Sequence, residues 1–370
     1  SSSTKGRRMK YRAFPFPKVN TRSRADLSCA GDFETNIPYN EFYTNLTENT
    51  IKGTACVSIY GGNTPQSEYE FLTGNTISFL PSGAIAYNLY IKKDTPSLVS
   101  QLSEQGYECI AMHPEKATNF NRNQVYPRLG FSQFLTEDDF TDIVKIRELC
   151  SDQSVYDKMI DLYENKQEGQ KLFLYGVTMQ NHGGYTYEGE DFTPLVQTVG
   201  LNKTYDKVNQ YLTCMRYTDE ALENLIGYFS DVDEHVMIVM FGDHHGDVGS
   251  DFYEELYGKK LIDVEGEQYE TRYKTPFFIW TNYEIEEKAD EKISLNYLST
   301  LAMQTANIPL TEYQSFLAEL QSHYPVISAA GIYDEEGNFY TWNNVEESAD
   351  YSYMKEYQIL EYYMLENYKK

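Results

Sequence analysis

The sequence predicts an α/β fold: a mostly parallel central sheet flanked by helices, with a smaller C-terminal α+β portion. Three observations lead there. Residues 236–241 (VMIVMF) are apolar without interruption and close on Gly242, the pattern of a strand buried on both faces. Residues 172–177 and 275–281 (TPFFIWT) repeat that pattern. Between such runs lie segments of helical period. The longest, 206–229, carries Val208, Leu212, Met215, Leu222, Leu225 and Ile226 at helical spacing, and alternation of strands with helices makes a parallel sheet.

In chain order, residues 1–24 are basic, contain Pro15 and Pro17 and show no period, so they read as a tail or a foreign start. Residues 33–46 read as a loop entering a short helix at 39–46. Residues 53–60 read as a strand with Ala55, Val57 and Ile59 alternating against polar neighbours. The strand runs into Gly61, Gly62, Asn63 and Thr64, and Pro65 then opens a helix. A helix at 98–102 stops at Gly106, and a short strand at 108–112 ends in His113. Residues 145–150 and 155–165 read as helical or turn-rich, with alternating charge that faces solvent. Helices are expected at 294–306 and 312–320. The expected division is a catalytic domain at 25–330 and a Tyr-rich extension packed on it at 331–370.

Composition narrows the function. A formal charge of −25 over 370 residues excludes nucleic acid as a partner, because phosphate binding needs a basic face. The same field repels anionic substrates, so a phosphate or sulfate ester needs a metal or local cations to bind. Five scattered cysteines, with no C-x-x-C pair, indicate neither a zinc ribbon nor a disulfide framework. No apolar run approaches the length of a membrane span, and the first residues lack the apolar core of a signal peptide.

The chemistry sits on strand tips, where open α/β sheets bind ligands. Asp243 and His244 follow one apolar strand, His182 follows another, and Thr64 stands before a helix, at the positive end of its dipole. Each has a plain structural reading: a polar turn, a core histidine, an N-cap threonine. Together they allow a different one. An aspartate and an imidazole can share a divalent cation, and that cation can activate a threonine hydroxyl as nucleophile. His113, Arg122 and His182 can then neutralise the phosphate oxygens.

The blocks GGNTPQSEYEFLTGN, His113 to Arg122 with FNR, MQNHGGY and FGDHHGD, in that order and spacing, resemble the extracellular catalytic domain of lipoteichoic acid synthases and related phosphoglycerol transferases, of the sulfatase and alkaline-phosphatase superfamily. The resemblance covers roughly residues 26–330. It implies an alkaline-phosphatase/sulfatase-like fold and Thr64 as the nucleophile that takes phosphoglycerol from a lipid headgroup. It implies one manganese or magnesium ion on Asp243, His244 and Thr64, and a substrate pocket of His113, Phe120, Arg122 and His182. Implied partners are an anionic glycerophospholipid or polyglycerolphosphate and a membrane surface, reached through helices preceding the domain, on the extracellular face of a bacterial cytoplasmic membrane. Phe120 stands where many members carry Trp, and Glu115 where some carry Asp.

One departure concerns the metal. The family places a glutamate ligand after its first strand, where this chain reads PFPKVNTRSRADL with Arg22 near that position. A guanidinium there repels a cation, and a Pro-rich segment makes a poor central strand. Either the start is altered or the chain is a metal-poor relative acting as a binding module. A phosphodiesterase or phosphoethanolamine transferase is the enzymatic alternative. A sulfatase proper is disfavoured, since no cysteine lies in a C-x-P-x-R setting and Thr64 precedes Pro65 directly.

Overall fold

The computed structural model describes residues 16–21 and 26–366. Eight strands form the central sheet: β1 (Phe16–Thr21), β2 (Thr50–Cys56), β3 (Tyr107–Met112), β4 (Gln133–Leu135), β5 (Lys171–Val177), β6 (Met237–Gly242), β7 (Lys274–Thr281) and β8 (Lys288–Ser294). Their spatial order is β8-β2-β7-β6-β1-β5-β3-β4. Only β7 is reversed, running against both β6 and β2; the other pairings are parallel, as the apolar runs predict.

Strand periodicity divides the core into two layers. Met237, Val239 and Phe241 of β6 face one layer, together with Tyr69, Phe71 and Leu72 of α1 (Thr64–Thr73). Ile238 and Met240 face the other, packed with Val155 and Met159 of α2 (Asp152–Glu164) and Leu222, Leu225 and Phe229 of α3 (Asp206–Ser230). Every residue of β6 is buried, which is why its sequence shows no alternation.

Several expectations change. Residues 16–21, expected in a tail, form β1 in the middle of the sheet, between β6 and β5. Pro17 is tolerated because it lies at the strand's start: it pairs with Leu174 on one side, and pairing with β6 begins only at Lys18. Pro15 and Arg22, and with them the altered metal position, lie outside the described residues. Residues 145–150 form a hairpin of two short strands, Lys145–Ile146 and Leu149–Cys150, and no helix. The strand expected at 53–60 is displaced to Thr50–Cys56, because Val57 to Asn63 serve as its exit loop. β8 escapes sequence reading because this edge strand is exposed over its first half and polar there.

A small antiparallel sheet of Val326–Ser328, Gly331–Tyr333 and Phe339–Tyr340 straddles the division expected at 330. The helix after it, α4 (Tyr351–Glu366), docks on α1. Tyr69 donates to Glu361 Oε1 at 2.9 Å, the Thr76 amide donates to Glu361 Oε2 at 2.9 Å, and Tyr357 donates to the Gly74 carbonyl at 2.7 Å.

Burial raises the pKa of Glu361 to about 8 and that of neighbouring Glu70 to about 7, from 4.5. Between those limits the folded chain holds protons that the unfolded chain has released, so stability falls as pH rises. Each group contributes a slope of about 1.4 kcal/mol per pH unit within its window. Glu361→Gln is therefore expected to flatten the decline, most visibly above pH ~7, in urea titrations at several pH values. An unchanged pH profile would mean that Glu361 ionises without penalty.

Candidate active site

The sheet register places the tips of four strands level. Gly242 pairs with Thr21, Val177 with Asn20, Met112 with Gly176, and Cys56 with Lys274 at the start of reversed β7. His113 and Asp243 therefore leave their strands at the same edge of the sheet, with β1 and β5 between them, and the loops to Thr64 and His182 begin there too.

Thr64 opens α1 behind Asn63, which takes the left-handed conformation at φ 64°. Its side chain is fully buried, and Oγ1 has no hydrogen-bond partner among the described residues. Two bonds stitch this segment to the tip of β6. Ser67, one turn along α1, donates to the Asp243 carbonyl at 2.7 Å, and the Gly61 amide donates to the His245 carbonyl at 3.1 Å.

At that tip the His244 amide donates to Asp243 Oδ1 at 2.9 Å. His244 Nδ1 lies 2.7 Å from the His245 carbonyl, which only accepts, so the ring proton sits on Nδ1. Nε2 lies 3.3 Å from Asp243 Oδ2 and, in the neutral ring, turns a lone pair toward it. A proton or a metal cation can lie between two such atoms, and a neutral imidazole oriented through its other nitrogen is the form that ligates a metal. Asp243 and His244 thus offer an oxygen and a nitrogen donor of the kind a divalent cation takes, and the Thr64 hydroxyl opens the helix bonded to the same tip. Among the described residues no group of three or more His, Cys, Asp or Glu could hold a metal. His245 is no ligand: its Nε2 lies 2.6 Å from the Lys274 carbonyl, its Nδ1 3.1 Å from the Tyr253 hydroxyl, and burial lowers its pKa to about 4.

The remaining candidates surround this tip. His113 is buried with Nδ1 2.8 Å from the Val177 carbonyl, so Nε2 is its accepting nitrogen. Arg122, expected as a phosphate ligand, is fully buried and already paired: Nε lies 3.1 and 3.3 Å from the two Glu68 oxygens, and Nη2 bonds the same carboxylate. Tyr126 and Tyr87 donate to Glu68 Oε2 at 2.8 and 3.1 Å. Nη1 remains, 3.5 Å from the Asn119 carbonyl. Glu68 lies one turn from Thr64, so the pair ties the Arg122 segment to the helix of the hydroxyl. Phe120 and Asn121 both take left-handed φ values, 54° and 58°, strain of about 1–3 kcal/mol each of the kind that collects at functional sites. The Phe120 ring lies 5.5 Å from the Arg122 guanidinium carbon.

His182 is half-buried in the loop after β5. Tyr185 in that loop donates to the Asn181 carbonyl at 2.7 Å, and its hydroxyl would lie 2.2 Å from a Cβ built on Gly246. The His182 and Asp243 loops therefore touch through a glycine. Gly246→Ala is expected to cost about 1–3 kcal/mol, read by chemical denaturation, because a buried, hydrogen-bonded ring must yield. A loss under 0.5 kcal/mol, about the level of a surface change, would show that the loops separate freely.

Sequence reasoning missed Ser67 and Glu68. They lie in a helix, TPQSEYEFLT, whose every residue is buried, the glutamates included, which its polar sequence does not signal.

A family model described as Sulfatase matches residues 23–308. The chain belongs to the sulfatase family. Membership carries a metal-dependent mechanism in general terms. Within the sulfatase family, lipoteichoic acid synthase of Staphylococcus aureus (strain USA300) is 29% identical over 215 residues, 55% of this chain and 32% of that protein. A Rhizobium meliloti (strain 1021) protein, named provisionally for cyclic beta-1,2-glucan modification, is 28% identical over 274 residues, 72% of this chain and 42% of that protein. The chain thus matches less than half the length of these relatives. The structure of Streptococcus pyogenes phosphoglycerol transferase GacH, in complex with sn-glycerol-1-phosphate, superposes with a TM-score of 0.75 at 22% identity, covering 95% of this chain and 86% of that one.

Proposed function

We propose that this domain transfers a phosphoglycerol-type group from an anionic, phosphatidylglycerol-like lipid to an acceptor hydroxyl, through a phosphothreonine at Thr64. The observation that carries the reading is the Thr64 hydroxyl: buried, without a hydrogen-bond partner among the described residues, and at a helix N-terminus bonded to the Asp243 tip.

Thr64 Oγ attacks phosphorus as the bond to the lipid's glycerol oxygen breaks, and the diacylglycerol leaves with a proton. An acceptor hydroxyl then attacks phosphorus, and Thr64 departs and regains its proton. Asp243, His244 and Thr64 would hold a manganese or magnesium ion, which when bound would supply Lewis-acid charge. The first amides of α1 attract the phosphate. His113 offers Nε2 to a glycerol hydroxyl, Phe120 and His182 enclose the headgroup, and Arg122 contributes its Nη1 edge.

No helix among the described residues is long and apolar enough to cross a membrane. The lipid substrate brings the domain to a membrane surface, which we place at the outer face of a bacterial cytoplasmic membrane. The test is incubation with phosphatidylglycerol vesicles and either ion, with intact-mass detection of a glycerophosphate adduct on Thr64. Headgroup release from phosphatidylethanolamine alone would assign the domain to phosphoethanolamine transfer. Release from neither lipid overturns the proposal.

A further inference from the structure

Arg147 belongs to no motif noticed in the sequence, yet it lies under the His182 loop. It occupies the turn between Lys145–Ile146 and Leu149–Cys150, where Arg147 and Glu148 both take left-handed φ values of 52° and 64°. Neither is glycine, and such strain persists only where surrounding contacts hold it. The side chain is 5% exposed and makes no ion pair with a carboxylate among the described residues. Burying a guanidinium without a direct ion pair is costly, so its hydrogen bonds must hold it there.

Its contacts show what it holds. Nη2 donates to the Gln180 carbonyl at 2.8 Å and the His182 carbonyl at 3.0 Å, the peptides that flank Asn181. Nε donates to Cys214 Sγ at 3.1 Å, which fixes the fork against α3. The guanidinium carbon lies 5.0 Å from the Tyr185 ring, and the Tyr185 hydroxyl meets Gly246 on the Asp243 loop. One cation thus anchors the backbone carrying His182 and supports the ring on which the cation-site loop rests.

We infer that Arg147 is the positioning residue of the transfer reaction. Its fork fixes the backbone of the loop that carries His182. This inference rests on the phosphoglycerol-transfer reading, so its test has an arm that needs no turnover.

In the full chain, Arg147→Met is expected to speed amide hydrogen exchange in residues 178–185 about tenfold, with α3 unchanged. It is also expected to lower kcat/KM for phosphatidylglycerol headgroup release about 10²-fold, the scale for a misplaced group. In a His182→Ala background the same change should have almost no further effect, since residues acting as one unit are not additive. Arg147→Lys, which keeps the charge but not the fork, should restore neither the slow exchange at 178–185 nor kcat.

Unchanged exchange at 178–185, or losses that multiply in the double variant, overturns the inference. If the unaltered chain releases no headgroup, the transfer reading fails, and the exchange arm alone decides whether Arg147 fixes the loop. If Arg147→Met does not fold, Arg147→Lys is read in the same exchange assay with the same two outcomes.

Discussion

Thr64→Ala is expected to abolish headgroup release while leaving the fold as stable as before or firmer. The loss should reach about 10⁴-fold or more, the scale seen when a nucleophile is removed and its binding surroundings remain. Stability should move the other way. A buried hydroxyl without a partner carries a desolvation penalty of about 1–3 kcal/mol, and alanine removes it. Most substitutions at fully buried positions destabilise, so a gain in melting temperature with total loss of activity would mark Thr64 as kept for chemistry. Thr64→Ser restores the hydroxyl and should recover measurable turnover. A Thr64→Ala chain that still releases glycerophosphate would end the phosphothreonine mechanism.

Arg122→Ala is expected to destabilise the chain by about 3–5 kcal/mol, because it leaves the Glu68 carboxylate buried without its partner. Sequence reasoning gave Arg122 to the phosphate alone, and on that view its removal weakens ligand binding and spares the fold. The Glu68 pair makes the fold the first casualty. Glu68→Gln with Arg122→Met, which removes both charges, should recover much of the loss, since a buried pair replaced by neutral groups of similar size is often near neutral. Urea denaturation of the single and double variants decides the matter. A single-variant loss under about 1 kcal/mol, the scale of an exposed ion pair, would show that the pair is solvated.

How far the sequence could be read follows from where each signal resides. β6 and β7 were legible because strands buried on both faces are apolar throughout, and α3 because its period is regular over a long span. The positions of His113 and Asp243 directly after strands were legible because polar residues at the ends of apolar runs mark strand tips, and the helix start at Thr64 because Pro65 follows it. β1 was misread: proline was weighed as though every strand residue bonded both neighbours, when Pro17 lies before the two-sided part. Glu68 and Arg147 were beyond reach for another reason. Their roles depend on partners 54 and 35 positions away, and neither residue differs in type from a solvated surface charge. The left-handed backbone at Phe120 has no marker either, since glycine is the usual sign of it and is absent there.

The grip of Glu361 on Tyr69 spans 292 positions, and during synthesis the earlier partner leaves the ribosome long before the later one. Until residue 361 emerges, Tyr69 and the Thr76 amide lack the acceptor that satisfies them in the finished fold, so the helix bearing Thr64 has no settled seat. A nascent chain of this protein thus holds the Thr64 helix in an unfinished setting until residue 361 is made.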